Sequence, residues 1–95
     1  MQLLTNAGVG ETGDTVEIHM PGRGEISRLL TLFVWGTFDG TTVTLQISPD
    51  GSEWFDVTDA SSITSKIALN VQFRCKYVRA ITTGGTAPAV NAALR

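Results

Sequence analysis

The chain has 95 residues, of which 42% are hydrophobic and 17% are charged, and its formal net charge is −2. This length predicts one domain, and the low charged fraction predicts that a partner covers part of its surface. The single cysteine, Cys75, excludes an intrachain disulfide and any metal cluster that needs several cysteines.

Acidic and basic residues are separated along the chain. Residues 1–59 contain nine acids and two bases, a net charge of −7, whereas residues 60–95 contain five bases and no acid, a net charge of +5. The two parts can pair inside one fold or between copies of it. Five bases scattered over the second part form no dense stripe, so nucleic-acid binding is not predicted.

Residues 1–13 contain three glycines and show no strand pattern. We therefore expect a flexible N-terminal arm at 1–13, followed by a single β-sandwich domain at 14–95. Because a free arm has no reason to keep the apolar Leu3, Leu4 and Val9, we expect it to order against a neighbouring copy or a larger partner. The alternative is that the arm adds an edge strand to its own sheet.

A secretory signal and a membrane span are both recognised from apolar runs in the sequence. No basic segment precedes a long apolar run, so no signal peptide is predicted. No stretch approaches the roughly 20 apolar residues that a membrane span needs. We expect a protein made in a cytoplasm, with no membrane partner.

Apolar and polar residues alternate through most of the remaining chain, which predicts strands. The first strand covers 14–20 and ends at the Pro-Gly-Arg-Gly turn. The second, at 26–38, is apolar on both faces, so it is either a central strand or a strand with one face on the core and one under a neighbour. A buried helix has a similar apolar run, but the β-branched and aromatic residues at 31–35 and the stop at Gly36 favour a strand. Asp39-Gly40 is typical of a hairpin turn, and 41–48 then alternates cleanly.

A Ser-Pro-Asp-Gly turn at 48–51 leads into further predicted strands at 53–58, 66–73, 77–82 and 90–94. About seven to eight short strands divided by turns predict an all-β protein, an antiparallel β-sandwich of jelly-roll-like topology. Its core is expected to contain Val16, Ile18, Leu30, Leu32, Val43, Leu45, Ile47, Leu69, Val71 and Leu94.

Candidate catalytic residues are few. His19, the only histidine, falls on the polar face of its strand, and no glycine-flanked serine elbow accompanies it. One histidine also leaves a zinc site short of nitrogen ligands. The carboxylate pairs Asp50/Glu53 and Asp56/Asp59 sit at turns and short strands, where such groups are usually solvated or capping. We predict no enzyme, no metal and no cofactor.

The aromatic residues Trp35, Trp54, Phe55 and Tyr77 allow two interpretations. Flat aromatic rings can stack on a sugar, but in a sandwich of this size two tryptophans more often anchor the core. Because Trp54 and Phe55 are adjacent on a strand, they point to opposite faces. One of them is therefore expected outside the core and available to a partner.

The segment 35–54, WGTFDGTTVTLQISPDGSEW, resembles a family of small phage and prophage proteins. Those proteins share a glycine-threonine-aromatic turn, a threonine-valine-x-leucine-glutamine strand and a serine-proline-aspartate-glycine turn before a tryptophan or tyrosine. The tyrosine-valine-arginine-alanine strand at 77–80 and the glycine- and threonine-rich turn at 83–86 also match. The resemblance covers roughly residues 26–95.

Proteins of this kind resemble capsid decoration (cement) proteins or small head and tail components. The resemblance implies a structural virion protein on the capsid surface, bound to the major capsid protein, commonly as a homotrimer. It implies no catalytic residues. The residues that we expect to contact a partner are Leu3, Leu4, Val9, Trp54 and Phe55.

A second resemblance concerns Ser48-x-Asp50-Gly51-x-x-Trp54 together with residues 77–79, which are similar to segments of discoidin-type jelly rolls. It implies a jelly-roll-like sandwich. It also gives an alternative function, a carbohydrate-binding module on a virion that engages host glycans.

Overall fold

The structure is a computed structural model that describes residues 2–13, 15–17, 28–73 and 76–95. These residues form eight strands and one short 3₁₀ helix, Thr58–Ala60. Within them, no helix is long and apolar enough to cross a membrane. The strands are β1 (Gln2–Ala7), β2 (Val16–Glu17), β3 (Arg28–Thr37), β4 (Thr42–Ser48), β5 (Phe55–Asp56), β6 (Ile67–Phe73), β7 (Tyr77–Thr83) and β8 (Ala89–Leu94).

The strands form two four-stranded antiparallel sheets. Sheet A has the order β1-β8-β3-β6, and sheet B has the order β2-β7-β4-β5. Strand 1 pairs with strand 8, 2 with 7, 3 with 6 and 4 with 5. The chain is thus one long hairpin rolled into two sheets, which is the jelly-roll topology. The prediction of an all-β, jelly-roll-like sandwich is confirmed.

The core lies between the sheets and is filled by the alternate residues of each strand. Of the predicted core residues, six are buried and three are partly buried against them, whereas Ile18 lies outside the described residues. The buried six are Leu30, Leu32, Val43, Leu45, Val71 and Leu94; the partly buried three are Val16, Ile47 and Leu69.

The two predicted tight turns are present. Asp39 and Gly40 have φ angles of 47° and 87°, as a type I′ hairpin turn requires, and Thr41 N–H donates to the Phe38 carbonyl at 2.9 Å. Gly51 has a φ of 85°, which explains the glycine at the end of the second turn.

The N-terminal segment corrects an expectation. Residues 2–7, predicted to belong to a flexible arm, form the edge strand β1, paired with β8. Leu3 and Leu4 are 2% and 3% exposed and belong to the core of their own sandwich. The small core gains this burial within its own chain, which is the alternative left open by the sequence.

The connection after β1 is fixed to sheet B by hydrogen bonds. The Thr82 hydroxyl donates to the Gly8 carbonyl at 2.7 Å and accepts from Glu11 N–H at 2.8 Å. Thr82 N–H donates to the Glu11 carbonyl, and Gly13 N–H donates to the Ala80 carbonyl, both at 2.8 Å. Residues 8–13 therefore lead the chain from one sheet to the other along a defined path.

Candidate functional site

The outer face of sheet A carries two exposed aromatic side chains from its central strand β3. Leu32 and Val34 point into the core, so Phe33 and Trp35, which alternate with them, point outward. Phe33 and Trp35 are 39% and 38% exposed. The interpretation of Trp35 as a core anchor is therefore wrong: β3 is apolar on both sides, but only one side is covered by sheet B.

Phe33 and Trp35 border a shallow depression of about 470 Å³ whose other lining residues are Ala93 and Arg95. Ala93 lies directly opposite Phe33 on β8 and is almost fully buried, so it forms the floor. Arg95 is held beside it by two backbone hydrogen bonds with Thr31, of 2.9 and 3.0 Å. We call these four lining residues the aromatic patch.

Polar side chains lie around the patch on β3 itself and on the neighbouring strands. The Thr31 hydroxyl donates to Asn70 Oδ1 at 3.0 Å, linking β3 to β6. On the other side, Asn91 Oδ1 accepts from Asn6 N–H at 3.1 Å, linking β8 to β1. The patch is thus an apolar centre with a polar border and one cation, the arrangement found in many docking surfaces.

The exposed face of sheet B carries a tryptophan that is covered by an arginine side chain of the same sheet. The Arg79 guanidinium carbon lies 4.1 Å from the centroid of the Trp54 ring, and Arg79 Nε donates to Gln46 Oε1 at 2.9 Å. Gln46 Nε2 in turn donates to Asp56 Oδ1 at 2.8 Å. Side chains of its own sheet therefore cover one face of Trp54 and satisfy Arg79.

The predicted partner contacts do not form one surface. Leu3 and Leu4 are in the core, which leaves them no surface for a partner. Val9 and Phe55 are 52% and 57% exposed, but they lie on the β1–β2 connection and on β5 respectively. Trp54 is half-buried under Arg79 and lies outside the core, so the core-anchor interpretation is wrong for this tryptophan also.

The four aromatic residues considered as a sugar platform are divided between the sheets. Trp35 lies on sheet A, whereas Phe55 and Tyr77 belong to strands of sheet B and Trp54 directly precedes β5. The sequence does not distinguish Phe33 as a surface residue, because it lies in a continuous apolar run. The signal that could have identified it is the apolar character of β3 on both faces.

The carboxylate of Asp50 accepts hydrogen bonds within its own turn. Backbone N–H groups of Ser52 and Glu53 donate to Asp50 Oδ1 at 2.8 and 3.1 Å, and these bonds hold the pKa of the Asp50 carboxyl below its usual 3.8. Ser48 Oγ also donates to this carboxylate, at 3.2 Å. Asp50 is therefore a turn-forming residue.

Within the part of the chain that the structure describes, no three His, Cys, Asp or Glu side chains are grouped closely enough to hold a metal ion. His19 and Cys75 lie outside that part. One ion pair is present among the same residues, Lys76 Nζ to Glu17 Oε1 at 3.8 Å, and it joins the basic part of the chain to the acidic part.

Comparisons of this chain with family models, with curated proteins and with solved structures find no match.

Proposed function

We propose that this chain is a structural protein of a virus particle, a decoration or cement protein that binds the major capsid protein on the outside of the shell. The observation that carries the proposal is the aromatic patch on sheet A. The jelly-roll topology supports it, because viral capsid and lectin domains use this architecture. The resemblance of residues 26–95 to small phage proteins supports it further.

The patch is large enough to contribute to docking. At about 200 Å² for each aromatic side chain, the exposed fractions of Phe33 and Trp35 leave about 150 Å² open to solvent. Burying this area would contribute about 4 kcal/mol to the free energy of binding, at about 25 cal/mol per Å². Such a contact is weak alone, but a shell offers many equivalent sites, so that linked copies bind through avidity.

A second candidate function is binding of a host glycan by the same depression. Its volume of about 470 Å³ lies in the range of small-ligand sites, and two aromatic rings with one guanidinium line it. A sugar ring would stack on Trp35 or Phe33, and Arg95 would bind a carboxylate on the sugar. The sugar platform then lies on sheet A, since Arg79 covers Trp54.

The test uses empty heads of the virus that encodes the chain. We expect the purified protein to cosediment with the heads, and we expect the double variant Phe33→Thr/Trp35→Thr to lose binding with little change in melting temperature. Threonine keeps the strand propensity of both positions. Screening the wild-type protein on a glycan array tests the second function.

The single variant Val9→Thr is a matched control because it removes an exposed apolar side chain that does not line the aromatic patch. We expect it to bind heads as the wild type does. If it loses binding while the double variant keeps it, the contact lies elsewhere and the role of the patch is contradicted. Binding to a glycan but not to heads would favour the carbohydrate-binding function.

A further inference from the structure

The outer edge of sheet A at β6 is a long, regular strand edge. All seven residues of β6 pair with β3 without a register shift, from Ile67 opposite Val34 to Phe73 opposite Arg28. The strand order of sheet A places β6 at its margin, and among the described residues no strand pairs with its other side. This edge exposes backbone groups in strand geometry.

The direction of these backbone groups follows from β8. Thr31 of β3 exchanges both of its backbone hydrogen bonds with Arg95, on the β8 side. The direction of the backbone hydrogen bonds alternates along a strand, so the even-numbered residues of β3 bond to β6. Their partners on β6 are the odd-numbered residues, because Leu32, for example, lies opposite Leu69. The N–H and C=O groups of Ala68 and Asn70 therefore point to the open edge.

The three other sheet edges carry the features that normally block strand pairing, whereas β6 does not. β1 contains two register shifts. β2 is two residues long in the described part of the chain and bears the Glu17–Lys76 ion pair. β5 is two residues long and contains Asp56. The sequence of Ile67–Phe73 contains no charged residue and no proline, and its ladder has no bulge.

Exposed apolar side chains lie on the same side of the sandwich. Ile67 of β6 is 39% exposed and Phe55 of β5 is 57% exposed. β5 and β6 are the margins of their sheets, and the 3₁₀ helix Thr58–Ala60 between them contacts β6. An open backbone edge next to exposed apolar side chains is suited to another strand.

We propose that β6 pairs antiparallel with β6 of a second copy around a twofold axis, so that the two A sheets form one eight-stranded sheet. A strand can pair with itself in this way because the antiparallel arrangement is its own complement. Pairing of β6 with β1 of another copy would continue indefinitely or close a ring, but the register shifts of β1 make it a poor partner. The dimer does not depend on whether the chain binds a capsid.

The proposed register has its twofold axis at Leu69. Ala68 then lies opposite Asn70 of the partner subunit, and the exposed Ile67 lies opposite Val71 of the partner subunit. Because the backbone groups of Ala68 and Asn70 point to the open edge, this register lets the two residues form hydrogen-bonded antiparallel pairs.

Two double variants at the same positions test the pairing. Ala68→Lys/Asn70→Lys sets lysine against lysine in both symmetric contacts, whereas Ala68→Glu/Asn70→Lys sets glutamate against lysine in both. Ala68 and Asn70 are exposed, and both variants remove the same Thr31 hydrogen bond, so each controls for the other. Size-exclusion chromatography with light scattering gives the mass, and thermal unfolding shows that each variant folds.

We expect the wild type and the Glu/Lys variant to have twice the chain mass of 10.1 kDa, and the Lys/Lys variant to be a folded monomer. A monomeric wild type would overturn the proposal, as would the trimer that the sequence resemblance implies. A Lys/Lys variant that stays dimeric would also overturn it, because the dimer would then use another surface. If both variants are monomers, the register centred on Leu69 is wrong.

Discussion

Substituting Gly13 by alanine tests whether the N-terminal segment packs on its own sandwich. Gly13 lies at the crossing between the sheets, bound through its N–H to the Ala80 carbonyl. A Cβ atom at Gly13 would overlap the Leu3 carbonyl oxygen and come within 2.9 Å of Leu4 Cδ2 and 3.0 Å of the Ala80 carbonyl oxygen. Two of these three obstacles are backbone atoms, which cannot move without shifting β1 or β7.

We expect Gly13→Ala to lower the free energy of unfolding by about 3 kcal/mol. This value is at the upper end of the usual range for overpacking, because the strands themselves must separate. A domain of this length has a total stability of about 5–14 kcal/mol. At about 4–8 °C per kcal/mol, the melting temperature should fall by about 12–24 °C, as measured by circular dichroism or calorimetry.

Gly8→Ala is the matched control, since it lies in the same connection and its Cβ would meet nothing within 4 Å. We expect Gly8→Ala to change the free energy of unfolding by no more than about 0.5 kcal/mol. If Gly13→Ala melts at the same temperature as Gly8→Ala, the crossing is not packed as described. Residues 1–13 would then be the free arm that the sequence first suggested.

Three further predictions concern the core, a buried hydroxyl and a turn. Leu45→Ala, at a fully buried position, should lower the free energy of unfolding by about 2–5 kcal/mol in a denaturant titration. Thr82→Val keeps the side-chain shape but leaves the Gly8 carbonyl and Glu11 N–H without their partner. It should therefore lower the free energy of unfolding by about 1–3 kcal/mol. An unchanged melting temperature would refute the role of this hydroxyl. Because folding lowers the pKa of Asp50, its ionised form stabilises the fold above pH 3.8, and this contribution is lost as the pH falls through the folded-state pKa. The melting temperatures of wild type and Asp50→Asn should therefore differ most near neutral pH and converge below pH 3.8.

The strands that sequence predicts well are those with one buried face and no bulge. β4 alternates strictly because Val43 and Leu45 face the core while Thr44 and Gln46 face outward. β1 escapes the same reasoning because its two register shifts bury Leu3 and Leu4 in succession. Period-two alternation is therefore lost at β1, although the strand is part of the core.

The surface chemistry was less predictable because it depends on which strands become neighbours. Trp54 is half-buried because the fold brings Arg79 over its ring, and no local pattern joins two residues so far apart in the chain. The exposure of Trp35 depends on nothing covering the outer face of β3 among the described residues. A sequence shows that a strand is apolar on both faces but does not show whether its own chain covers both.

The two candidate surfaces belong to the same sheet. On the outer face of sheet B, Trp54, Arg79, Gln46 and Asp56 contact one another in a chain. Sheet A instead presents the aromatic patch from β3 and the open edge of β6, one strand away. Pairing two copies through β6 would leave the patch uncovered, because the edge lies in the plane of the sheet and the patch on its face. The dimer would thus present two aromatic patches on one continuous surface, and bivalent docking would strengthen a contact that is weak for one copy.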